Sequence, residues 1–221
     1  MNNILKAFRK YISHLPKDGI LITDKSTDKK EVKKLRKILK VPGEHNVSNA
    51  SIALMAARSL KIPDKVSYQA LSSYQGTWRR FEIRKKDQLT IVSDYGHHPT
   101  EVKATLKAAR EKWPEKEIWC VFQPHQYQRT YYLFNDFVKV FSRTPINKII
   151  ITDIYDVAGR ENKNLKKKVN SEKLVKAVKN PKVIYLAKKK IISYLKNNLQ
   201  GREVIIIMGA GDIYEIDKAL K

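Results

Sequence analysis

Apolar and polar positions follow two rhythms along this chain, and the change falls near residue 76. Before it the spacing is helical. Ile4, Leu5, Phe8, Tyr11 and Ile12 share one stripe and predict a helix over residues 3–14. Pro16–Gly19 reads as a turn and Ile20–Thr23 as a short strand. A Lys-rich helix is expected over residues 28–39, ended by Pro42-Gly43. Asn46 is placed to cap a small-residue helix reaching Leu60, with Val47, Ala50, Leu54 and Ala57 at helical spacing. Residues 64–73 make another short helix, and Gly76–Arg80 reads as a joint.

Beyond the joint, Phe81–Arg84 and Leu89–Ser93 flank the polar turn Lys85–Gln88, as in a hairpin. Strands are then expected at 89–94, 117–122, 148–153, 182–186 and 203–208. Helices are expected at 100–112, 130–142, 171–179, 189–198 and 212–220. Strict alternation of strand and helix implies an α/β fold, a mainly parallel sheet with helices on both faces. The polar segment Gly159–Val169 reads as a mobile surface loop.

Composition narrows the picture. The 221 residues carry 45 Lys plus Arg against 22 Asp plus Glu, a formal charge of +23, with 42% hydrophobic residues. That apolar content excludes a disordered tail. The longest apolar run, Val204–Met208, is far below the roughly 18 residues of a membrane helix. Lys6, Arg9 and Lys10 interrupt the apolar residues near Met1, so no secretory signal is expected and the reading is cytoplasmic. Cys120 is the single cysteine and is expected as an inert core thiol, leaving no disulfide framework or Cys-based zinc site. The lysines outnumber the arginines about threefold and are spread over helical stretches. No zinc-finger or RNP-type motif occurs, so specific nucleic-acid binding is not expected, while weak polyanion binding is.

Three strands end in sequences suited to chemistry. Asp94-Tyr-Gly-His-His-Pro99 leads into a helix with Glu101 in its first turn. Gln123-Pro-His-Gln-Tyr-Gln-Arg-Thr130 leads into another, and Gly209-Ala-Gly-Asp212 follows the last strand. In open α/β sheets ligands bind beyond the carboxyl ends of the strands, so three such ends on one edge imply a site. Each is weak alone: a single His is more often structural, and Gly-Ala-Gly lacks the third glycine of a dinucleotide fingerprint. A zinc site from His97, His98 and His125 is the lesser reading, since adjacent histidines rarely share one ion.

In order, Gly43-Glu-His-Asn-Val-Ser-Asn-Ala50, Gln75-Gly-Thr-Trp-Arg-Arg-Phe81, Asp94–Glu101, Phe122-Gln-Pro-His125 with Arg129-Thr130, and Gly209–Asp212 resemble the motifs of the Mur ligase family. The resemblance covers residues 41–221 well and 1–40 loosely. The third and fourth of these motifs, Tyr95–Glu101 and Phe122–His125, are most similar to the members that join L-alanine to UDP-N-acetylmuramate. It implies a Rossmann-like C-terminal domain over residues 76–221, preceded by a shortened, α-rich remnant of the central ATPase domain over residues 1–75. It further implies ATP and Mg²⁺, phosphorylation of the sugar-lactyl carboxylate, and attack of the L-alanine amine on the acyl phosphate. By the same resemblance His45, Asn46, Arg80 and Asp94 bind nucleotide, and Tyr95, His97, His125 and Arg129 surround the amino acid.

The chain also departs from the family. It has no Gly-x-x-Gly-Lys-Thr/Ser phosphate loop, Asp24-Lys25-Ser26 lacking the glycines. The UDP-sugar domain, the central magnesium ligands and the carbamylated lysine are missing. Gln126 stands where the family usually has Arg, and Ser93 where an acid is common. The expectation is a catalytically incomplete C-terminal piece, its missing parts either supplied by a companion polypeptide or lost by truncation. Its rivals are a compact enzyme using the strand-end site alone, and a basic regulatory module that binds a partner or polyanion.

Overall fold

The computed structural model describes residues 2–23, 28–86, 88–157 and 163–220. The chain separates into two compact units, Met1–Gln75 and Gly76–Lys221.

The first unit contains α1 (Asn2–Ile12), α2 (Lys29–Ile38), α3 (Glu44–Ser59) and α4 (Asp64–Ser73), with no strand among its described residues. The Asp28 side chain opens α2 by accepting from the Lys30 amide at 3.1 Å. Leu35, Val47 and Ala50 pack with Tyr68 and Leu71 into a small core. Arg58 ties α3 to both neighbours, pairing with Glu31 and with Asp64.

Two expectations are corrected here. Ile20–Thr23 forms no strand among the described residues. Asn46 does not cap α3. The cap is Gly43, whose φ of 100° favours glycine, and the Asn46 amide turns back to donate to the Pro42 carbonyl at 2.7 Å.

The second unit is built on a six-stranded sheet. Its strands are β1 (Glu82–Lys86), β2 (Leu89–Asp94), β3 (Ile118–Phe122), β4 (Lys148–Ile151), β5 (Val183–Tyr185) and β6 (Val204–Met208), in spatial order β1-β2-β6-β3-β4-β5. Only β1 runs antiparallel, in a hairpin with β2 whose turn residue 87 lies outside the described residues. The helices are α5 (Pro99–Lys112), α6 (Tyr127–Tyr132), α7 (Phe134–Ser142), α8 (Lys163–Lys168), α9 (Ser171–Val178), α10 (Lys188–Asn198) and α11 (Ile216–Ala219), the last preceded by a 3₁₀ turn, Asp212–Glu215.

Alternate strand residues enter opposite cores, as the pleat requires. Val92, Cys120, Phe122, Ile149 and Ile206 pack with Leu106, Phe137, Phe141 and Leu174 on one face. Ile91, Val121, Ile150, Ile205 and Ile207 pack with Ile191, Leu195, Ile213 and Ile216 on the other. Fully buried strands of Val, Ile and Phe on both faces are what a covered parallel sheet demands. Burial raises the pKa of Cys120, so its thiol stays protonated.

The expected helix over 130–142 is two helices. Leu133, at φ −103° and ψ 15°, leaves helical geometry between them. The expected C-terminal helix begins as the 3₁₀ turn. In the expected loop Gly159–Val169, residues 163–168 are helical, while residues 159–162 lie outside the described residues, as do Asp24–Ser26. No helix among the described residues is long and apolar enough to cross a membrane.

Candidate functional site

The parallel register aligns the strand ends. Asp94 and Phe122 both stand opposite Met208, and Ile151 stands opposite Phe122. The residues that follow β2, β6, β3 and β4 therefore share one edge of the sheet.

At the end of β2, Asp94 turns inward. Its buried carboxylate accepts from the Phe81 amide at 2.9 Å, the Gly96 amide at 2.8 Å and the Thr105 hydroxyl at 3.3 Å. A buried carboxylate needs such donors, and these fix the joint and the Gly96 turn at once. The histidines follow. His98 caps α5, its Nδ1 accepting from the Thr100 amide at 3.4 Å, while Pro99 takes the first helical position. Glu101 accepts from the amides of His97 and His98 at 2.9 and 3.0 Å. Burial works against the Glu101 carboxylate, but these two amides outweigh it and hold its pKa below the ordinary value.

His97 and His125 face each other with ring centroids 5.7 Å apart. Nδ1 of His97 lies 3.1 Å from the Tyr95 carbonyl, which can only accept, so this nitrogen bears a proton and, in the neutral ring, Nε2 is an acceptor. Nδ1 of His125 lies 3.2 Å from an Arg129 nitrogen, which can only donate. His125 thus carries its proton on Nε2. Burial, then the charge of Arg129, then His97 push its pKa down to about 4, so the ring is neutral near pH 7. The pair offers one acceptor and one donor nitrogen beside a guanidinium.

Tyr155, beyond β4, stacks on His125 at 5.5 Å and 11°. The Tyr155 amide donates to the Pro124 carbonyl at 2.8 Å, and the Gln126 amide donates to the Tyr155 carbonyl at 3.0 Å. Gln126 sits at φ 72°, a left-handed conformation uncommon for its type. Gly211 lies against this stack: a Cβ there would meet the Gln123 Oε1 at 2.4 Å and the Tyr155 ring at 2.5 Å. Gln123 donates to Asp212 at 2.9 Å, and Lys188 pairs with Asp212 at 2.6 Å. Burial raises the Asp212 pKa, but Lys188 and Gln123 together bring it below the ordinary value.

Arg79 joins the turn to the glycines. It is buried, donates to the carbonyls of Gly209 and Gly211, and lies 4.6–5.5 Å from the rings of Tyr214, Tyr95 and Trp78. Its own carbonyl accepts from the Tyr95 amide at 2.7 Å. Arg80, its neighbour, is exposed.

Tyr95, His97, His125 and Arg129 therefore gather at one place. Asp94 adjoins them from within the protein. His45, exposed, and Asn46, half-buried, belong to the first turn of α3 in the other unit. Sequence reading missed Tyr155, although Thr152–Tyr155 is a fourth strand end open to the same rule. It also missed Arg79, for which two adjacent arginines gave no means of choosing the buried one. Among the described residues no group of three or more His, Cys, Asp or Glu could hold a metal ion.

Comparison with known proteins identifies the family. The family described as Mur ligase, glutamate ligase domain, matches residues 79–211. The UDP-N-acetylmuramate–L-alanine ligase of Clostridium acetobutylicum is 42% identical over 182 residues, which cover 80% of this chain and 38% of that protein. The same-named enzyme of Clostridium botulinum (strain Kyoto / Type A2) is 33% identical over 264 residues, covering 98% of this chain and 56% of that one. The crystal structure of the UDP-N-acetylmuramate–alanine ligase of Thermotoga maritima superposes with a TM-score of 0.64 at 25% identity, covering 82% of this chain and 38% of that chain. This chain thus spans about two fifths of the length of the first of these relatives. With its motifs, fold and matched residues in agreement, the chain belongs to the Mur ligase family.

Proposed function

We propose that this chain is the C-terminal portion of an ATP-dependent UDP-N-acetylmuramate–L-alanine ligase of peptidoglycan precursor synthesis, closing over nucleotide and amino acid in the cytoplasm. The observation that carries the reading is the cluster of His97, neutral His125 and Arg129 at adjoining strand ends. Arg129 suits the carboxylate of L-alanine, since a guanidinium pairs with carboxylates at strong, directed hydrogen bonds. Nε2 of His97, an acceptor, suits a hydrogen of the incoming amine. Nε2–H of His125 suits an oxygen. Tyr95 borders the pair, its ring 5.5 Å from His97.

In the reaction the amine nitrogen bonds to the acyl-phosphate carbon, the carbon–oxygen bond to phosphate breaks, and the amine releases a proton. Arg80, exposed beside the joint, is the residue offered to the nucleotide phosphates, and His45 and Asn46 are offered to the adenine. Asp94 acts on the nucleotide side by holding the 79–81 turn. ATP and Mg²⁺ are required by a complete enzyme. No group among the described residues fits a magnesium site, so its ligands are assigned to a part of the enzyme outside those residues.

Alone, the chain is inactive. Phosphoryl transfer rests on positioning and charge stabilisation at the γ-phosphate, which a phosphate loop provides. The purified chain with ATP and Mg²⁺ is expected to release no phosphate. Mixed with a fragment bearing the two missing domains, it is expected to release ADP only with both UDP-N-acetylmuramate and L-alanine. Turnover by the lone chain on the order of 1 per second, abolished by Asp94→Asn or Arg80→Met, overturns the reading.

The formal charge of +23 favours a second reading, a basic regulatory module that binds a polyanion. Such binding falls steeply with salt, whereas adenine binding changes little. Heparin affinity measured across salt concentrations separates the two.

A further inference from the structure

Helices α5 and α7 pack side by side on one face of the sheet, and a groove of about 560 Å³ opens between them. Lys103, Leu106 and Lys107 share one face of α5, at the spacing that brings helix residues together. Lys139 and Val140 of α7, with Arg143 just past its end, form the opposite side. Leu106 is buried against Phe137 and Phe141, so the floor of the groove is the outer surface of the core. Pro145 completes the apolar wall. Arg110 holds it there, its Nε donating to the Pro145 carbonyl at 3.1 Å.

Four cations rim this floor. Lys107 lies 3.5 Å from Glu111 and Lys139 lies 3.8 Å from Asp136, both at the exposed surface, where such pairs contribute little. Among the described residues no carboxylate pairs with Lys103 or Arg143. Arg110 is different: its terminal nitrogens donate to the carbonyls of Trp113, Pro114 and Lys116 and to the Asn147 side chain. Lys103 and Lys107 stand one turn apart, about 6 Å along the axis, as do Lys139 and Arg143. The charged frame is thus one turn long. That is too short for a docking helix, whose anchors run over two turns or more. The volume falls within the range of small-ligand sites, roughly 300–1,000 Å³.

The geometry points to a binding site for a small organic phosphate, a phosphomonoester with an apolar body about the size of one ring. The body rests on Leu106, Val140 and Pro145, and the phosphate is held by Lys103 and Arg143. A phosphomonoester concentrates a charge of about −1.5 to −2 in one group at pH 7, which balances two uncommitted cations. A single carboxylate leaves one of them unmatched. Arg143 supplies a planar fork for two phosphate oxygens, and Lys103 a point charge. The groove shares no residue with the strand-end cluster. The site therefore stands whether or not the chain is part of a ligase.

The probe is phenyl phosphate, titrated into the full chain with methyl-labelled Leu and Val at fixed ionic strength and followed by NMR. Inorganic phosphate carries the charge without the ring, and phenol the ring without the charge. The Leu106 and Val140 methyls should shift with a Kd below about 1 mM, while the His125 ring protons stay in place. Phenyl phosphate should bind about tenfold more tightly than either control, since the ring leaves water only where the floor is apolar. Lys103→Gln and Arg143→Gln should each weaken it by about threefold to tenfold. Lys196→Gln removes the same charge from exposed α10, on the other face of the sheet, and should change it less than twofold. All three positions are exposed, so the thermal midpoints should hold. Equal affinity for phenyl phosphate and inorganic phosphate marks general attraction to a basic surface and overturns the inference. Equal affinity for phenol marks a merely apolar groove and does the same. Shifts centred on His125, or equal losses in all three variants, also overturn it.

Discussion

A guanidinium nitrogen of Arg129 lies 3.2 Å from Nδ1 of His125, four residues earlier in the chain, and keeps that nitrogen's lone pair occupied. Protonating His125 would set two donors and two positive charges face to face. Its pKa of about 4 follows from burial first and from Arg129 second.

The ring of His125 should therefore stay neutral from pH 8 down to near 4. An NMR titration of the His125 ring protons checks this, and Arg129→Met should move the midpoint up towards the ordinary value of about 6.5. The sign for stability follows. The unfolded His125 takes a proton near pH 6.5 and the folded one only near 4, so its contribution is present above about 6.5 and is lost as pH falls to 4. Urea midpoints across that range should fall in the parent chain and fall less in Arg129→Met.

Asp94→Asn replaces one of two accepting oxygens with a donor facing the amides of Phe81 or Gly96. A loss of about 2–4 kcal/mol is expected, as for a buried charge-assisted hydrogen-bond network. Chemical denaturation reads it directly. Thr105→Val, which removes only the 3.3 Å donor, should cost less, about 1 kcal/mol.

Gly211→Ala should be destabilising by about 1–3 kcal/mol, because its Cβ meets Gln123 and Tyr155 well inside van der Waals contact. Relief requires the Tyr155 ring to move from His125. The His125 ring protons, shielded by the stacked tyrosine, should shift in this variant and remain in place in Ala210→Gly.

Gln126→Arg should lower the KM for L-alanine in a reconstituted enzyme by adding a fork of charged donors. The left-handed backbone at Gln126 is equally uncommon for both residue types, so the thermal midpoint should hardly change. An unchanged KM would show that position 126 does not face the amino acid.

The sheet was readable because its strands are buried on both sides, so Val204–Met208 and Ile118–Phe122 stand out as unbroken apolar runs. The helix Glu44–Ser59, with Val47, Ala50 and Leu54 at helical spacing, was equally clear. Decisions made by three-dimensional context were not. The break at Leu133 has no glycine or proline to announce it. Ile20–Thr23 has strand composition but forms no strand among the described residues. In the site, the histidines were visible through their positions after β2 and β3. The inward turn of Asp94 and the burial of Arg79 rather than Arg80 depend on contacts with residues more than ten positions away.

The strand order has a consequence for how the protein comes into being. β6 is the last strand made, yet it sits between β2 and β3 and pairs with both. Until residues 204–208 emerge, the hairpin of β1 and β2 and the ribbon of β3, β4 and β5 are separate half-sheets, each with an unsatisfied apolar edge. Their union closes contacts across more than a hundred residues, which slows folding. A nascent chain is thus most prone to association with its neighbours before residues 204–208 emerge, and a stop codon at position 203 should yield aggregate rather than a smaller folded domain.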